Sequence, residues 1–306
     1  MSFIDLIFQI AKTHPGHLAI KIGDQDITYQ AFYQRINSIA AKLGKDQRIL
    51  VESTYDLNCY ASIIAIWITG NTYVPTSTKE IPNVIDRLKP DLLLTPNKES
   101  YTITSLNPAE CTSAQIIEPV FNSTATAYIL STSGTTGVPK DIPISYSNLD
   151  GFVDSFLDLN CRLSDEDSFL QMAELKYDMS IISFLIPLSI GAAIHTINMD
   201  GLRYQEIIKQ LTTNQTTVCI VPPSAIRLLA PYFEEINLPN LRYTFFGAEK
   251  LDVSLVRQWQ KCALNSTTVN LYGPSEGGIF ATAFIVNDLN KNPIPIGQSA
   301  STLKQK

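Results

Sequence analysis

Tyr128-Ile-Leu-Ser-Thr-Ser-Gly-Thr-Thr-Gly-Val-Pro-Lys140 is the stretch that decides how this chain is read. An apolar run of strand character leads straight into seven consecutive small residues, Ser131 to Gly137, and the segment closes on Lys140. Glycines let a backbone turn its N–H groups toward an anion. The hydroxyls of Thr132, Ser133, Thr135 and Thr136 add donors, and Lys140 supplies a point charge. That chemistry suits a polyphosphate. Two common phosphate loops are excluded: five residues after Gly134 stands Pro139 where Walker A needs its second glycine, and no Gly-x-Gly-x-x-Gly occurs here. A plain Ser/Thr/Gly linker would neither follow a strand directly nor end on a single lysine.

Outward from the loop, short apolar runs alternate with helical periodicity. The pattern predicts strands at Leu18–Ile22, Arg48–Glu52, Asn71–Val74, Asp91–Thr95, Ala127–Ser131 and Ser168–Met172. Further strands are predicted at Ala192–Ile197, Thr217–Val221, Leu241–Phe246, Thr267–Asn270 and Phe280–Val286. Gln30–Leu43 stopped by Gly44, and Leu57–Thr69 followed by Gly70, read as helices between them. Repeated alternation indicates an α/β fold with two mostly parallel sheets and flanking helices, in which ligands sit at the carboxyl ends of strands. Pro96–Thr126 is polar and unpatterned and reads as a connector holding a short strand near Gln115–Ile117. It separates a first α/β subdomain, 1–120, from a second, 121–306, that carries the phosphate loop.

A net charge of −6 over 306 residues and a pI near 5.1 argue against nucleic acid and anionic membrane as partners. Five scattered cysteines without a CxxC pair, and three histidines without metal-ligand spacing, indicate a reduced, cytoplasmic setting. The Asn-x-Ser/Thr triplets at Asn122, Asn214 and Asn265 carry no weight without a secretory signal. MSFIDLIFQIAK lacks the basic flank of a signal peptide and reads as an amphipathic helix. Met179–Ile197 is long enough to span a bilayer, but Pro187, Gly191 and His195 inside it favour a buried helix, a turn and a buried strand.

Ser131–Lys140 resembles the phosphate-loop signature of the adenylate-forming enzymes, which include acyl-CoA synthetases, luciferases and the adenylation domains of peptide synthetases. Further matches follow in the order of that family: Lys176-Tyr-Asp-Met-Ser180, Phe246-Gly-Ala-Glu249, Asn270-Leu-Tyr-Gly-Pro-Ser-Glu276 and Pro295-Ile-Gly297, with Ile66–Pro75 upstream. The resemblance favours the amino-acid-activating branch, particularly enzymes similar to the D-alanine–carrier-protein ligases, whose phosphate loop is followed by a comparable Ile-Ser-x-x-Asn-Leu. The resemblance implies the N-terminal portion of such an enzyme, with the start of a β-barrel subdomain and without the C-terminal domain. It implies activation of a small amino acid as its adenylate, with ATP and Mg²⁺ as cofactors and a phosphopantetheinyl carrier protein as partner.

By the same resemblance, Thr132, Ser133, Gly134, Thr135, Thr136, Gly137 and Lys140 hold the phosphates, and Lys140 and Glu276 are catalytic. Gly247, Ala248, Glu249, Asn270, Leu271, Tyr272, Gly273, Pro274 and Ser275 contact the nucleoside, and Glu276 ligates the metal as a hard oxygen donor. Asp178 grips the substrate's α-ammonium, in a pocket completed by Met179, Ile182, Ile220, Thr244, Phe246, Leu271, Ile279 and Phe280. Bulky Phe246 and Leu271 favour a small or modest apolar side chain.

The chain departs from the family pattern in three places. Asp141 follows Lys140 where glycine is common, and Tyr146 stands where many relatives carry histidine. The third is the absence of the Thr-Gly-Asp segment and C-terminal lysine, which implies a weakly active fragment. A catalytically silent nucleotide-, amino-acid- or carrier-binding module is therefore an alternative. An acyl- or aryl-CoA ligase is another, which Asp178 disfavours.

Overall fold

The structure is a computed structural model that describes residues 2–106, 122–132, 139–199, 201–290 and 293–299. The chain opens with α1 (Phe3–Thr13), β1 (Leu18–Ile22), β2 (Gln25–Thr28), α2 (Tyr29–Ala40), β3 (Arg48–Glu52) and α3 (Leu57–Ile68). It continues through β4 (Thr72–Thr76), α4 (Ile81–Leu88), β5 (Leu92–Pro96), β6 (Tyr101–Ser105), β7 (Thr126–Thr132) and β8 (Lys140–Ser145). There follow α5 (Tyr146–Leu157), β9 (Ser168–Gln171), α6 (Asp178–Ile190), β10 (Ala193–Thr196), α7 (Arg203–Thr213) and β11 (Val218–Val221). The last elements are α8 (Pro223–Leu229), β12 (Tyr243–Phe246), α9 (Val253–Cys262), β13 (Thr267–Tyr272), β14 (Thr282–Ile285) and β15 (Gln298–Ser299).

The chain divides into two compact units, which are not consecutive halves. The first comprises Met1–Gly16, Thr28–Asp150 and Glu174–Tyr177; the second comprises His17–Ile27, Gly151–Ala173 and Asp178–Lys306. In the first unit the sheet runs β6-β5-β3-β4-β7-β8. Its centre is parallel, and its two edges are antiparallel hairpins. β7 pairs with β4, so the strand entering the phosphate loop joins the first unit's sheet, whereas the sequence pattern groups it with the second subdomain. Pairing of non-consecutive strands hides such a boundary from a linear reading. β6 and β8 were missed as strands because each is a polar edge strand. The short strand expected at Gln115–Ile117 lies outside the described residues.

The first unit is organised around α3, buried along its whole length from Asn58 to Ile68. Asp56 caps it by accepting from the Cys59 amide at 2.9 Å. Trp67 donates from Nε1 to the Ala127 carbonyl at 2.9 Å and takes Phe3 edge-on at 5.6 Å. The phenol of Tyr146 is buried, within hydrogen-bond reach of the carbonyls of Asn71 at 2.7 Å and Trp67 at 3.1 Å. That pairing accounts for tyrosine at the departure noted above: its hydroxyl donates to the Asn71 carbonyl just beyond the C-terminal end of α3.

In the second unit the sheet runs β15-β14-β13-β12-β11-β9-β10-β1-β2. From β13 through β12, β11, β9 and β10 to β1 every pairing is parallel, so the carboxyl ends of these strands lie along one edge. α6 is apolar on all sides and buried from Met179 to Ser189, as befits a helix inside a core. Gly191, at φ 85°, turns the chain into β10, giving the helix, turn and strand expected of this stretch. No helix among the described residues is long and apolar enough to cross a membrane.

Replacing Tyr146 by phenylalanine removes the phenol's hydrogen bond to the buried Asn71 carbonyl, so unfolding free energy should fall by about 1–3 kcal/mol. Urea denaturation followed by tryptophan fluorescence measures it; an unchanged midpoint would remove the phenol from the account of the first unit.

Candidate active site

Four strand ends of the second unit surround one small cavity of about 30 Å³. α6 supplies Asp178, Met179 and Ile182 from its first turn. Ile220 comes from β11, Gly247 and Ala248 from the turn after β12, Leu271 and Gly273 from the end of β13, and Ile279 and Phe280 from the segment before β14. This is the carboxyl edge of the parallel strands, where open α/β sheets place their ligands.

Period-two alternation decides which residues reach the cavity. Ile220 is paired with Phe245, so these two share a sheet face, while Cys219 with Thr244 and Val221 with Phe246 lie on the other. Thr244 and Phe246, assigned above to the pocket, are fully buried and absent from its lining. Thr244 Oγ1 accepts from Trp259 Nε1 at 3.0 Å and bonds Ser266 Oγ at 2.9 Å. Phe246 packs among Val221, Val256 and Trp259. Both pack toward α9, so the structure does not bring these two expected positions into the cavity. The other expected positions, Asp178, Met179, Ile182, Ile220, Leu271, Ile279 and Phe280, all line the cavity.

Asp178 is the one charged residue in that lining. It opens α6, where the helix dipole favours a carboxylate. Ser275 Oγ donates to its Oδ2 at 2.6 Å, and among the described residues no lysine, arginine or histidine forms an ion pair with it. Burial pushes the carboxyl above its ordinary range, and the hydrogen bond from Ser275 opposes that only in part. An acid held out of water with a hydroxyl but no cation is prepared for a positively charged ligand atom.

The turns around it are tightly specified. A Cβ on Gly273 would sit 2.6 Å from the Ala281 amide nitrogen, so only glycine allows β13 and the Phe280–Ala281 backbone to approach. Ala248 at φ 65° and Ile279 at φ 76° hold left-handed backbone without being glycine; for a β-branched residue such as Ile279 this is strained. Both line the cavity.

Other predicted residues have structural partners. Glu249 accepts from the Ser224 amide at 3.1 Å and from its hydroxyl, capping α8, and pairs with Arg227 at 3.5 Å. Asn270 is buried and donates to the Pro295 carbonyl at 2.9 Å, which ties two of the sequence motifs together. A Cβ at Gly297 would fall 1.9 Å from the Ala283 carbonyl oxygen, so that motif needs its glycine. Tyr272 is 53% exposed, which excludes a core-filling role, and Pro274 and Glu276 are exposed beside it on the Ser275–Gly277 turn.

In the first unit, Thr132 and Lys140 are directly paired across the β7–β8 hairpin. Ser133, Gly134, Thr135, Thr136 and Gly137 lie outside the described residues. Asp141 does not face an anion site unpaired: Arg87 Nε donates to its Oδ2 at 2.7 Å and Arg87 Nη2 to its Oδ1 at 3.0 Å. Sequence reasoning found Asp141 but not Arg87, which is 54 positions away and in no motif.

Comparison with known proteins places these features. The family described as AMP-binding enzyme matches residues 7–304. A D-alanine–D-alanyl carrier protein ligase from Bacillus licheniformis is 26% identical over 97% of this chain and 64% of its own length. The corresponding ligase of Staphylococcus haemolyticus is 23% identical, again over 97% and 64%. The chain thus spans 64% of the length of these curated relatives. Among solved structures, the Vibrio cholerae adenylation domain AlmE, in complex with glycyl-adenosine-5'-phosphate, superposes with a TM-score of 0.84 at 24% identity, over 98% of this chain and 64% of that one. The Klebsiella oxytoca NpsA N-terminal subdomain gives a TM-score of 0.82 at 18% identity, over 98% and 80%. The two-sheet α/β fold is that of the N-terminal part of adenylation domains, and with a family match along nearly its whole length this chain belongs to the AMP-binding enzymes.

Proposed function

We propose that this chain binds ATP and activates the carboxylate of a small amino acid as an aminoacyl-adenylate, for transfer to a carrier-protein thiol. The observation that carries the reading is Asp178, a carboxylate without a cation at the mouth of an apolar cavity. An α-ammonium satisfies it; a fatty or aryl acid bound for CoA has no such group and would leave the acid unpaired. The small cavity, walled by Met179, Ile182, Leu271 and Phe280, favours a small apolar side chain. Relatives named as D-alanine–carrier ligases, and the glycyl-adenylate bound by AlmE, support the same substrate class. A neighbour described as containing adenylation and PCP domains supports a carrier as acceptor.

In this reading a substrate carboxylate oxygen attacks the α-phosphorus of ATP. The bond to the β-phosphate bridging oxygen breaks, and pyrophosphate leaves. A carrier thiolate then attacks the adenylate carbonyl and displaces AMP. Asp178 orients the amino acid, and the backbone of Gly247 and Ala248 faces the base with Tyr272 beside it. Thr132, Lys140 and the intervening loop hold the departing phosphates. Mg²⁺, when bound, would neutralise those phosphates, and Glu276, an exposed carboxylate on a short turn, offers the hard oxygen donor it needs.

Calorimetry should show binding of Mg²⁺-ATP in preference to NAD, and Asp178→Ala should weaken the amino acid or its adenylate analogue by about 2–5 kcal/mol while leaving ATP nearly unchanged. Because the ionised form of Asp178 is required and its pKa is raised, amino-acid affinity should fall with decreasing pH before an ordinary carboxylate titrates. Intact amino-acid binding by the alanine variant would return Asp178 to a capping role.

Relatives extend beyond the matched region, and adenylation needs positive charge placed where negative charge develops. Amino-acid-dependent ATP–pyrophosphate exchange by the 306-residue chain should therefore be slower by on the order of a hundredfold to a thousandfold than in the presence of a C-terminal continuation. Equal rates with and without that segment would show that the chain supplies all the charge the step requires.

A further inference from the structure

The β7–β8 ladder pairs Ser131 with Asp141 and Thr132 with Lys140. Successive side chains of a strand point to opposite faces, so Ser131 and Asp141 share one face while Thr132 and Lys140 share the other. Onto the first face comes Arg87, from the last turn of α4. Its guanidinium reaches both carboxylate oxygens of Asp141, at 2.7 and 3.0 Å, and donates from Nη2 to Ser131 Oγ at 2.7 Å. Ser131 Oγ in turn donates to Asp141 Oδ1 at 2.6 Å, so helix and hairpin are joined by a closed ring of hydrogen bonds. α4 is held by Val84 and Leu88, which pack with Leu50, Val74 and Ile129 of the sheet.

Only a planar, forked cation serves two carboxylate oxygens and a hydroxyl at once; an ammonium would not. With side chains 25% and 20% exposed, the pair is partly withdrawn from water, unlike a surface ion pair. Burial would raise the Asp141 carboxyl, but the hydrogen bonds from Arg87 and Ser131 outweigh it and hold the group below the usual carboxylate range. Asp141 is therefore charged at every working pH, one residue from the lysine of the nucleotide loop. Unneutralised, it would cancel Lys140 in the field that an approaching polyphosphate meets.

We propose that Arg87 is a positioning residue for nucleotide binding: it clamps the base of the β7–β8 hairpin to α4 and neutralises Asp141, so that the acid next to Lys140 does not oppose an approaching polyphosphate. This role rests on the ATP reading above.

The test compares the full chain with Arg87→Met, Asp141→Asn and the double variant. Two readouts are used: amide hydrogen exchange over Ala127–Ser131 and Asp141–Ser145, and calorimetric titration with Mg²⁺-ATP. Arg87→Met should accelerate exchange of the hairpin amides by about tenfold, because its local opening becomes easier. It should also weaken Mg²⁺-ATP by about five- to tenfold, an effect that shrinks at high salt. The double variant should recover the wild-type dissociation constant to within about twofold while exchange stays fast, since the uncompensated acid is gone but the clamp is not restored. Asp141→Asn alone, which keeps the fold should Arg87→Met not, should bind Mg²⁺-ATP as well as the parent or better. Weaker binding by Asp141→Asn, or a double variant as weak as Arg87→Met, overturns the charge role. Unchanged exchange in Arg87→Met overturns the clamp whatever the nucleotide result. A folded parent chain that does not bind Mg²⁺-ATP overturns the nucleotide reading and the charge role with it; a parent that binds, beside an Arg87→Met that binds equally, overturns the positioning role alone.

Discussion

A carboxylate taken out of water must find a proton, a cation or enough hydrogen bonds to hold its charge, and Asp178 has found the hydroxyl of Ser275 and backbone amides of its own helix turn but, among the described residues, no cation. The second unit is built so that this deficit persists. α6 is buried on every side, which fixes its first turn and so the acid at its start. β13 ends in Gly273 because nothing larger passes the Phe280–Ala281 backbone, and the chain then folds through Ser275 back to Asp178. Ala248 and Ile279 hold left-handed backbone on the cavity wall. Strain at such positions persists only where surrounding structure over-determines it, and it is concentrated here around one unsatisfied charge.

The first unit, to which the proposed reading assigns the phosphates, is built by different means. Its loop-bearing hairpin sits at a sheet edge, where ladder hydrogen bonds hold one side only. The other support is lateral, from α4 through Arg87. An acidic residue beside the loop lysine looks unfavourable in one dimension. In three dimensions it is the anchor point for a guanidinium, and the strand's alternation turns it to the face opposite Lys140.

Much of this was legible in the sequence because its signals are local. β1 and β3 were placed to the residue, and the division of Met179–Ile197 into helix, turn and strand followed from Pro187, Gly191 and the apolar run. Seven of the expected pocket residues line the cavity, since motif spacing places them at strand ends. What was not legible was non-local. Thr244 and Phe246 belong to a strand buried on both faces, so no hydrophobic alternation marks which residues line the cavity; Trp259 of α9 and its bond to Thr244 hold the other face. β8 reads as Lys-Asp-Ile-Pro-Ile-Ser, too polar and proline-bearing to suggest a strand, yet at an edge it loses little by that. Arg87 carries no motif at all, and its role exists only once α4 and β8 have folded together.

The central claim is that the pocket is completed by a positive charge on the substrate. The most direct measurement compares two non-hydrolysable ligands on the unsubstituted chain: the sulfamoyl-adenosine analogue of a small amino acid, and the same compound lacking its α-amino group. Since removing one partner of a buried hydrogen-bonded charge pair costs about 2–5 kcal/mol, the amino compound should bind at least about thirtyfold more tightly, with the advantage lost in Asp178→Asn. Equal affinity for the two compounds would show that Asp178 does not read the ammonium and would contradict the account.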